Sequence, residues 1–279
     1  MSPSAPLTVE NIRSTLATRA LGQQIHLYRE LASTNSEAMS LAQAGAAHGT
    51  VVVTESQTAG RGRHARVWFS PPAVNLYCSI IVREAGPGLS LSEWLSWVPL
   101  TAALAIAETV QAVAGLSLAL KWPNDLLLNE SKVGGILCES SLSAANDPIV
   151  VIGIGLNVNV PRESFPEELR PIATSLCEAT HRPIDRNRLL AQLLLELEQS
   201  LDELRSHGPT RLRQAYQTRC GTLGRHVRAI LGAGQELLGT VEAIGSDGAL
   251  QVRPVPASPD SSSPSPLIEV RAADVIHLR

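Results

Sequence analysis

The spacing of apolar residues predicts a long region of mixed helices and strands, followed by a short region of strands. Between residues 91 and 114, apolar side chains recur at helical spacing, at Leu95, Val98, Ala102, Ile106 and Val110. Ser90 and Glu93 fit a capping box at the start of this helix. Similar patterns predict helices over residues 8–20, from about 34 to 46, 186–206 and 209–219.

Short apolar and β-branched runs predict the strands between these helices. They cover residues 24–28, 51–54, 75–83, 118–122, 126–128, 136–139 and 149–158. Because the helices do not alternate regularly with the strands, we predict an α+β fold with a mixed sheet that need not be parallel.

After Gly221 the pattern changes to short strands alone. They are predicted at residues 226–231, 237–244, 249–252 and 267–270, and Ser246-Asp247-Gly248 is a hairpin-type turn signal. Four or five short strands favour a small β-barrel. We therefore divide the chain into residues 1–222 and 223–279, with the proline- and serine-rich residues 254–266 as a loop inside the second domain.

Composition and charge exclude several classes of protein. A net charge of -3 over 279 residues argues against a general nucleic-acid-binding chain. The four cysteines form no Cys-x-x-Cys pair, which disfavours structural zinc and a disulfide framework. The N-terminus lacks the features of a signal peptide, and no apolar run has the length of a membrane span. We expect a protein of the reducing cytoplasm that does not bind membranes.

The arginine loop, residues 57–68, is the strongest local signal. No Asp or Glu occurs between Ser56 and Arg83, yet Arg61, Arg63 and Arg66 lie there among glycines. Glycine lets the backbone approach a ligand, and the guanidinium group matches phosphate and carboxylate. The loop follows a strand predicted to be buried, so we interpret it as an anion-binding loop; a solvated basic loop is the alternative. A Walker-type phosphate loop is absent from the sequence.

Three further clusters have both a structural and a functional interpretation. Thr34 and Glu37 fit a capping box, but the polar residues 33–35 also suit a ligand at a helix N-terminus. Residues 121–125 form either a hydrogen-bonded turn or a polar site. Lys132 is either a solvated hairpin lysine or a ligand contact beside paired glycines.

Taken in order, these motifs resemble the biotin–protein ligases, over about residues 20–180. The resemblance rests on Ser33-Thr34-Asn35, Thr54-Glu55-Ser56-Gln57-Thr58-Ala59-Gly60-Arg61-Gly62-Arg63, Trp68-Phe69-Ser70-Pro71, Asn75-Leu76-Tyr77, Lys121-Trp122-Pro123-Asn124-Asp125, Lys132 with Gly135-Ile136, and Gly153-Ile154-Gly155-Leu156-Asn157. It implies the biotin/lipoate ligase fold, with a small C-terminal SH3-like barrel.

The resemblance also implies a two-step reaction. Biotin and ATP, with Mg²⁺, would form biotinyl-5′-AMP, and the biotinyl group would pass to a lysine of a biotin carboxyl carrier domain of acetyl-CoA carboxylase. No fixed metal site is expected. Only about 20 residues precede the resemblance, so we expect a ligase without the DNA-binding domain of some relatives, acting as a monomer or homodimer.

Site residues follow from the resemblance by position. Lys132, Arg63 and Asp125 are expected to be catalytic. Biotin is expected to contact Ser33, Thr34, Asn35, Gln57, Arg61, Gly62, Arg63, Lys132 and Gly135. ATP and the adenylate are expected to contact Arg61, Arg63, Arg66, Trp68, Lys121, Asn124 and Asn157.

Two departures from the family pattern stand out. Ala65 occupies a loop position where the family usually has glycine, and residues 161–174 carry no family motif that would assign the adenine contacts. Two alternative functions remain open: a lipoate or octanoate ligase or transferase of the same fold, and a non-catalytic biotin sensor.

Overall fold

The computed structural model of the protein describes residues 5–83, 89–143, 147–255, 265–271 and 273–278. Residues 256–264 of the predicted proline- and serine-rich loop lie outside these ranges.

The described chain forms two sheets and a set of helices, most of which the sequence predicts. The helix predicted over residues 8–20 ends at Thr15, the strand predicted over 136–139 extends over Ser131–Leu142, and the short helix Leu176–Thr180 was not predicted. The helices are α1 (Val9–Thr15), α2 (Thr34–Gln43), α3 (Leu91–Ala114), α4 (Leu176–Thr180), α5 (Arg186–His207) and α6 (Thr210–Arg219). The strands of the first sheet are β1 (Ile25–Tyr28), β2 (Val51–Thr54), β3 (Leu76–Val82), β4 (Ala119–Lys121), β5 (Asp125–Leu128), β6 (Ser131–Leu142) and β7 (Pro148–Leu156).

The first sheet is mixed, as the sequence predicts. Its seven strands have the order β1-β2-β3-β7-β6-β5-β4. The β1–β2 pair is parallel and the other pairs are antiparallel. The central strands β3 and β7 are almost wholly buried, because helices cover both faces of the sheet.

The two faces of this sheet carry different layers. One face packs on α3 and α5 in the main core, which is mostly aliphatic but includes Trp94 and Trp97. The other face packs on α2 through a smaller cluster that includes Ala38, Ala42 and Val52. Among the described helices, α2 is the one that packs on β2, β3 and β7 from this second face.

The two predicted helix caps have different outcomes. The capping box of α3 is confirmed, since Ser90 and Glu93 exchange side-chain-to-backbone hydrogen bonds. The capping box predicted for Thr34 and Glu37 is wrong, because the cap residue is Ser33 and its side chain makes no capping bond. Glu37 instead accepts a hydrogen bond from Tyr28 Oη at 2.9 Å, which leaves Thr34 free to bond elsewhere.

The second sheet contains five antiparallel strands, in keeping with the predicted SH3-like barrel. They are β8 (His226–Ile230), β9 (Glu236–Ile244), β10 (Leu250–Pro254), β11 (Ile268–Val270) and β12 (Asp274–His277), in the order β11-β10-β9-β8-β12. Strand β12 was not predicted. The domain boundary at residues 222/223 stays a prediction.

Two tryptophans hold the barrel against the first region. Trp97 Nε1 donates to Ser246 O at 2.8 Å, and Trp122 Nε1 donates to Gly248 O at 3.1 Å. Both carbonyls belong to the β9–β10 turn. The barrel is therefore fixed beside the N-terminal half of α3.

The prediction that no apolar run has the length of a membrane span is wrong for α3, which is the one described helix whose length and hydropathy would suit a span. However, 72% of its apolar window is buried inside the protein. Core helices of folded domains share this composition, so the helix is weak evidence for membrane insertion.

A buried ion pair ties the start of α5 to the sheet. Arg186 is fully buried, and its guanidinium donates to Glu55 at 2.5 and 3.2 Å and to Asn75 O at 3.1 Å. Glu55 is only 17% exposed. Removing one member of such a pair leaves the other charge desolvated and unpaired.

We expect Arg186→Met to lower the free energy of unfolding by about 3–5 kcal/mol, because Glu55 loses its partner. Chemical denaturation measures this change. The control is Arg188→Met on the same helix, where the side chain is exposed and the change should stay below about 0.5 kcal/mol. Equal effects of the two substitutions would contradict the importance of the buried pair.

Candidate functional site

The floor of the candidate site is a strip of glycines on β6 and β7. Gly135 pairs with Gly155, and Leu137 pairs with Gly153, on the face of the sheet that carries α2. A Cβ atom at Gly153 would lie 1.9 Å from Asn35 Oδ1. A Cβ atom at Gly155 would lie 2.6 Å from the indole nitrogen of Trp68. Both neighbours reach the backbone only because these positions lack side chains.

A polar cluster lies at the start of α2, above this strip. Gln57 Oε1 accepts from Thr34 N at 2.9 Å, and Gln57 Nε2 donates to Ser70 Oγ at 3.0 Å. Ser79, from the buried centre of β3, lies 2.8 Å from Thr34 Oγ1 and 2.6 Å from Asn35 Oδ1. These bonds hold five side chains, those of Thr34, Asn35, Gln57, Ser70 and Ser79, around one small volume.

Arg61 is joined to this cluster by a carboxylate. Glu139, on β6, accepts from Arg61 at 2.7 Å and from Asn35 Nδ2 at 2.8 Å. The side chains of Arg61 and Glu139 are 43% and 32% exposed, so the pair remains accessible to solvent. An entering anion would compete with Glu139 for Arg61.

Lys132 lies at the other end of the strip. Its Nζ atom is 2.5 Å from Asp125 Oδ1 and 5.5 Å from the centre of the Trp68 ring. A Cβ atom at Gly135 would lie 3.5 Å from Lys132 Cε. The Trp68 Nε1 donor is buried without a hydrogen-bond partner among the described residues. The ammonium group thus sits beside an aromatic wall and a backbone that leaves space for a ligand.

The tip of the arginine loop contacts the barrel. Arg63 donates to Asn124 Oδ1 at 3.3 Å and to Ala273 O at 3.1 Å, while Arg66 forms an ion pair with Asp274. Burial lowers the pKa of Arg63, although Asp274 and Asp125 oppose the shift. Burial disfavours the charge of Asp274, but the neighbouring cations outweigh burial and lower its pKa.

The backbone at the loop tip is strained. His64 and Ala65 have φ angles of 55° and 57°, in the left-handed region that favours glycine. For residues with a Cβ atom this conformation costs about 1–2 kcal/mol each. The backbone at Ala65 therefore has a conformation that would favour glycine.

A cavity of about 680 Å³ opens between the loop, the sheet and the barrel. Its walls come from the loop (residues 61–65), the turn after β4 (122–124), β6 (136–139), the start of α3 and barrel residues 247–249 and 271. Burial raises the pKa of the Cys138 thiol in this wall to about 12, which keeps it protonated and unreactive.

The remaining predicted residues lie at the edges of the site or beneath it. Asn124 Nδ2 donates to Ile136 O at 2.9 Å, and Lys121 pairs in register with Asp125. Asn157 is 4% exposed, and its amide donates to Thr174 O at 3.0 Å. Thr174 N in turn donates to Lys132 O. In this structure Asn157 therefore supports the strand beside Lys132 from below.

The residues of the sequence motifs therefore lie together on one face of the sheet. The sequence prediction missed several side chains that bond to them. Ser79, Glu139 and Asp274 bond to predicted site residues and were not predicted. A serine inside the apolar run of β3 was a weak signal for Ser79. Nothing in the sequence links Glu139 to Arg61 or Asp274 to Arg66, because these partners lie 78 and 208 residues apart.

Comparisons with known sequences identify the family. Residues 28–159 match the model of the biotin/lipoate A/B protein ligase family. The chain is 35% identical to the biotin–[acetyl-CoA-carboxylase] ligase of Mycobacterium tuberculosis, over 98% of this chain and 97% of that protein. It is 37% identical to the bifunctional ligase/repressor BirA of Bacillus subtilis, over 80% of this chain and 67% of that protein.

Solved structures agree with this assignment. The biotin protein ligase of Aquifex aeolicus, in complex with biotin and ATP, superposes with a TM-score of 0.75 at 26% identity, over 92% of this chain and all of that one. The Leishmania major enzyme with biotinyl-5-AMP superposes with a TM-score of 0.61 at 26% identity, over 84% of this chain and 96% of that one. With its motifs placed on one face of the shared fold, the chain belongs to the biotin/lipoate A/B protein ligase family.

Proposed function

We propose that the protein is an ATP-dependent biotin–protein ligase, which forms biotinyl-5′-AMP and transfers biotin to a lysine of a carrier domain. One observation carries the proposal. The glycine strip on β6 and β7 has the cluster of hydroxyl and amide side chains at one end, and the ion pair of Lys132 with Asp125 at the other. Arg61 and Arg63 project from the loop beside it. One relative is named a biotin–[acetyl-CoA-carboxylase] ligase, and another has been solved in complex with biotin and ATP.

The polar cluster supports a role in holding the ring of biotin. A ureido ring offers both N–H donors and a carbonyl acceptor, which need amide and hydroxyl partners in fixed positions. Ser33, Thr34, Asn35 and Gln57 supply such groups. Thr34 is hydrogen-bonded to Gln57, and Ser79 is hydrogen-bonded to both Thr34 and Asn35. The bare backbone at Gly135 leaves room for the acyl chain to lie against the sheet.

The cations support the first step. Attack of the biotin carboxylate on the α-phosphate brings two anions together, and fixed positive charges offset their repulsion. We assign Lys132 to the carboxylate and the α-phosphate, and Arg61, Gly62 and Arg63 to the activated end of biotin. Arg66, Trp68, Lys121 and Asn124 border the nucleotide, and Asn157 supports the Lys132 strand from below.

Mg²⁺ would enter with ATP. Among the described residues, no three His, Cys, Asp or Glu side chains lie close enough to hold a cation by themselves. Mg²⁺ commonly binds through substrate phosphates with one or two carboxylates, so this donor set fits an ion carried by the triphosphate.

In the second step the lysine of the carrier must attack as a neutral amine. At pH 7 roughly one free lysine in a few thousand is neutral. Asp125 accepts from Lys132 through Oδ1, and we propose that its carboxylate orients the incoming amine. A carboxylate is a much weaker base than an amine, so orientation is its main contribution.

The proposed partner is the biotin carboxyl carrier domain of acetyl-CoA carboxylase. A cytoplasmic location, the lack of DNA binding and a monomer or homodimer stay predictions. All four cysteines are free thiols, in keeping with a reducing compartment.

The proposed function predicts that the protein adds one biotinyl group to a carrier domain, in a reaction that needs biotin, ATP and Mg²⁺. Intact-mass measurement of the carrier detects the product. Lys132→Gln serves as the negative control, because the loss of this cation should slow adenylate formation by about 10²–10³-fold. A carrier that gains no mass from the unmodified protein would refute the proposal.

Two additional measurements separate the alternatives. Calorimetric titration with lipoate and with biotin distinguishes the acid that binds, and tight lipoate binding without biotin binding would favour a lipoate enzyme. Biotin-dependent exchange between ATP and pyrophosphate would exclude a non-catalytic sensor, because exchange requires the adenylation step.

We expect Arg63→Ala to release the adenylate, since fewer charges would hold the mixed anhydride. Released adenylate acylates lysines at random, so labelling of a bystander protein should rise with biotin and ATP present. Mass spectrometry of the bystander measures the labelling. Unchanged labelling would count against a retaining role for Arg63.

Gly153→Ala should weaken biotin binding and lower the free energy of unfolding by about 1–3 kcal/mol, because the new methyl group displaces Asn35. Calorimetric titration and denaturation measure the two effects. Gly232→Ala is the control, since no atom lies within 4 Å of the added Cβ. Normal biotin binding by Gly153→Ala would show that the Asn35 position does not matter.

A further inference from the structure

The tip of the arginine loop is attached to the barrel by two consecutive residues of one chain segment. Arg63 donates to Ala273 O at 3.1 Å, and Arg66 pairs with Asp274 through both carboxylate oxygens. Ala273 is 2% exposed and Asp274 begins strand β12. The anchor therefore lies on a fixed edge of the barrel.

The arginine loop is also held together by its own backbone hydrogen bonds. Gly62 N donates to Arg66 O at 2.7 Å, and Trp68 N donates to Gly60 O at 2.9 Å. These backbone bonds join the two arms of the loop. The position of Arg66 therefore constrains the position of Arg63, the residue that faces the proposed reaction.

The residues at the tip of the loop do not favour the observed backbone conformation by themselves. His64 and Ala65 both occupy the left-handed region, which glycine adopts freely and other residues adopt at a cost. Contacts outside the loop must hold the tip in place. Among the described residues, the hydrogen-bond partners of Arg63 and Arg66 outside the loop are Asn124, Ala273 and Asp274, while Arg61 is held separately by Glu139. Asp274 is therefore the carboxylate that holds the tip.

We propose that Asp274 is a positioning residue, through which the C-terminal barrel holds the arginine loop closed and keeps Arg63 in place over the adenylate. The barrel is thereby part of the retaining machinery. The retention of adenylate rests on the ligase function proposed above, whereas the docking of the loop does not.

Limited trypsin digestion of the ligand-free protein tests the docking, with cleavage after Arg61, Arg63 and Arg66 measured by mass. Asp274→Asn removes the ion pair and should speed cleavage in the loop about two- to fivefold, the range set by a solvent-accessible pair. Asp274→Glu keeps the carboxylate and should restore part of the protection. Ala65→Gly relieves the left-handed residue and should slow cleavage by a similar factor.

The control is Glu242→Gln, which breaks the ion pair between Glu242 and Arg253 on the same barrel and touches no loop residue. Its loop cleavage should match that of the unmodified protein. A variant that unfolds would also be cut after Arg211, in helix α6, so this site separates loop release from unfolding. Loop cleavage of Asp274→Asn equal to that of Glu242→Gln, or no slowing by Ala65→Gly, would overturn the proposed docking.

The consequence for the intermediate is measured by isolating the protein with radiolabelled biotinyl-AMP and following its release. Release from Asp274→Asn should be about two- to fivefold faster, and release from Glu242→Gln should be unchanged. If the protein forms no adenylate, the ligase proposal fails while the digestion result still decides the docking. If adenylate forms and Asp274→Asn retains it normally, the positioning role fails while the ligase function stands.

Discussion

The close approach of side chains to the central sheet controls the geometry of the site. Gly153 and Gly155 on β7 allow Asn35 and the Trp68 ring to lie directly on the backbone, at distances that no Cβ atom would permit. Because β3, β6 and β7 are paired along their lengths, this floor is rigid. The start of α2, the arginine loop and Lys132 are positioned relative to it. A single methyl group on the strip would displace a ligand-facing side chain.

The cations that lie on this floor are balanced by neighbouring carboxylates. Arg61 pairs with Glu139, Arg66 with Asp274 and Lys132 with Asp125. Arg63 donates to two neutral oxygens. A bound adenylate would bring phosphate charge into competition with Glu139 and Asp125, so binding exchanges internal partners for ligand atoms. Such exchange limits the cost of holding several cations together before substrate arrives.

The two sheets act as one unit around the cavity. Trp97 and Trp122 fix the β9–β10 turn of the barrel, and Asp274 at the start of β12 meets the arginine loop. The barrel thus contacts the first region at two places that border the same space. This arrangement explains how a small C-terminal sheet, whose sequence carries no recognisable chemical motif, contributes to a site assembled from residues 33–174.

The amino-acid sequence alone determined most of the elements, though not α4 or β12, together with the order of the motifs and the identity of the main cations. Helix α3 and its capping box follow from apolar spacing and from Ser90 and Glu93, because both depend on residues a few positions apart. Tertiary structure decided which side chains those residues meet. Thr34 bonds to Gln57 and leaves Glu37 to Tyr28, and Arg66 meets Asp274 across 208 residues. Such partners are set by the packing of whole elements, which no local sequence pattern records.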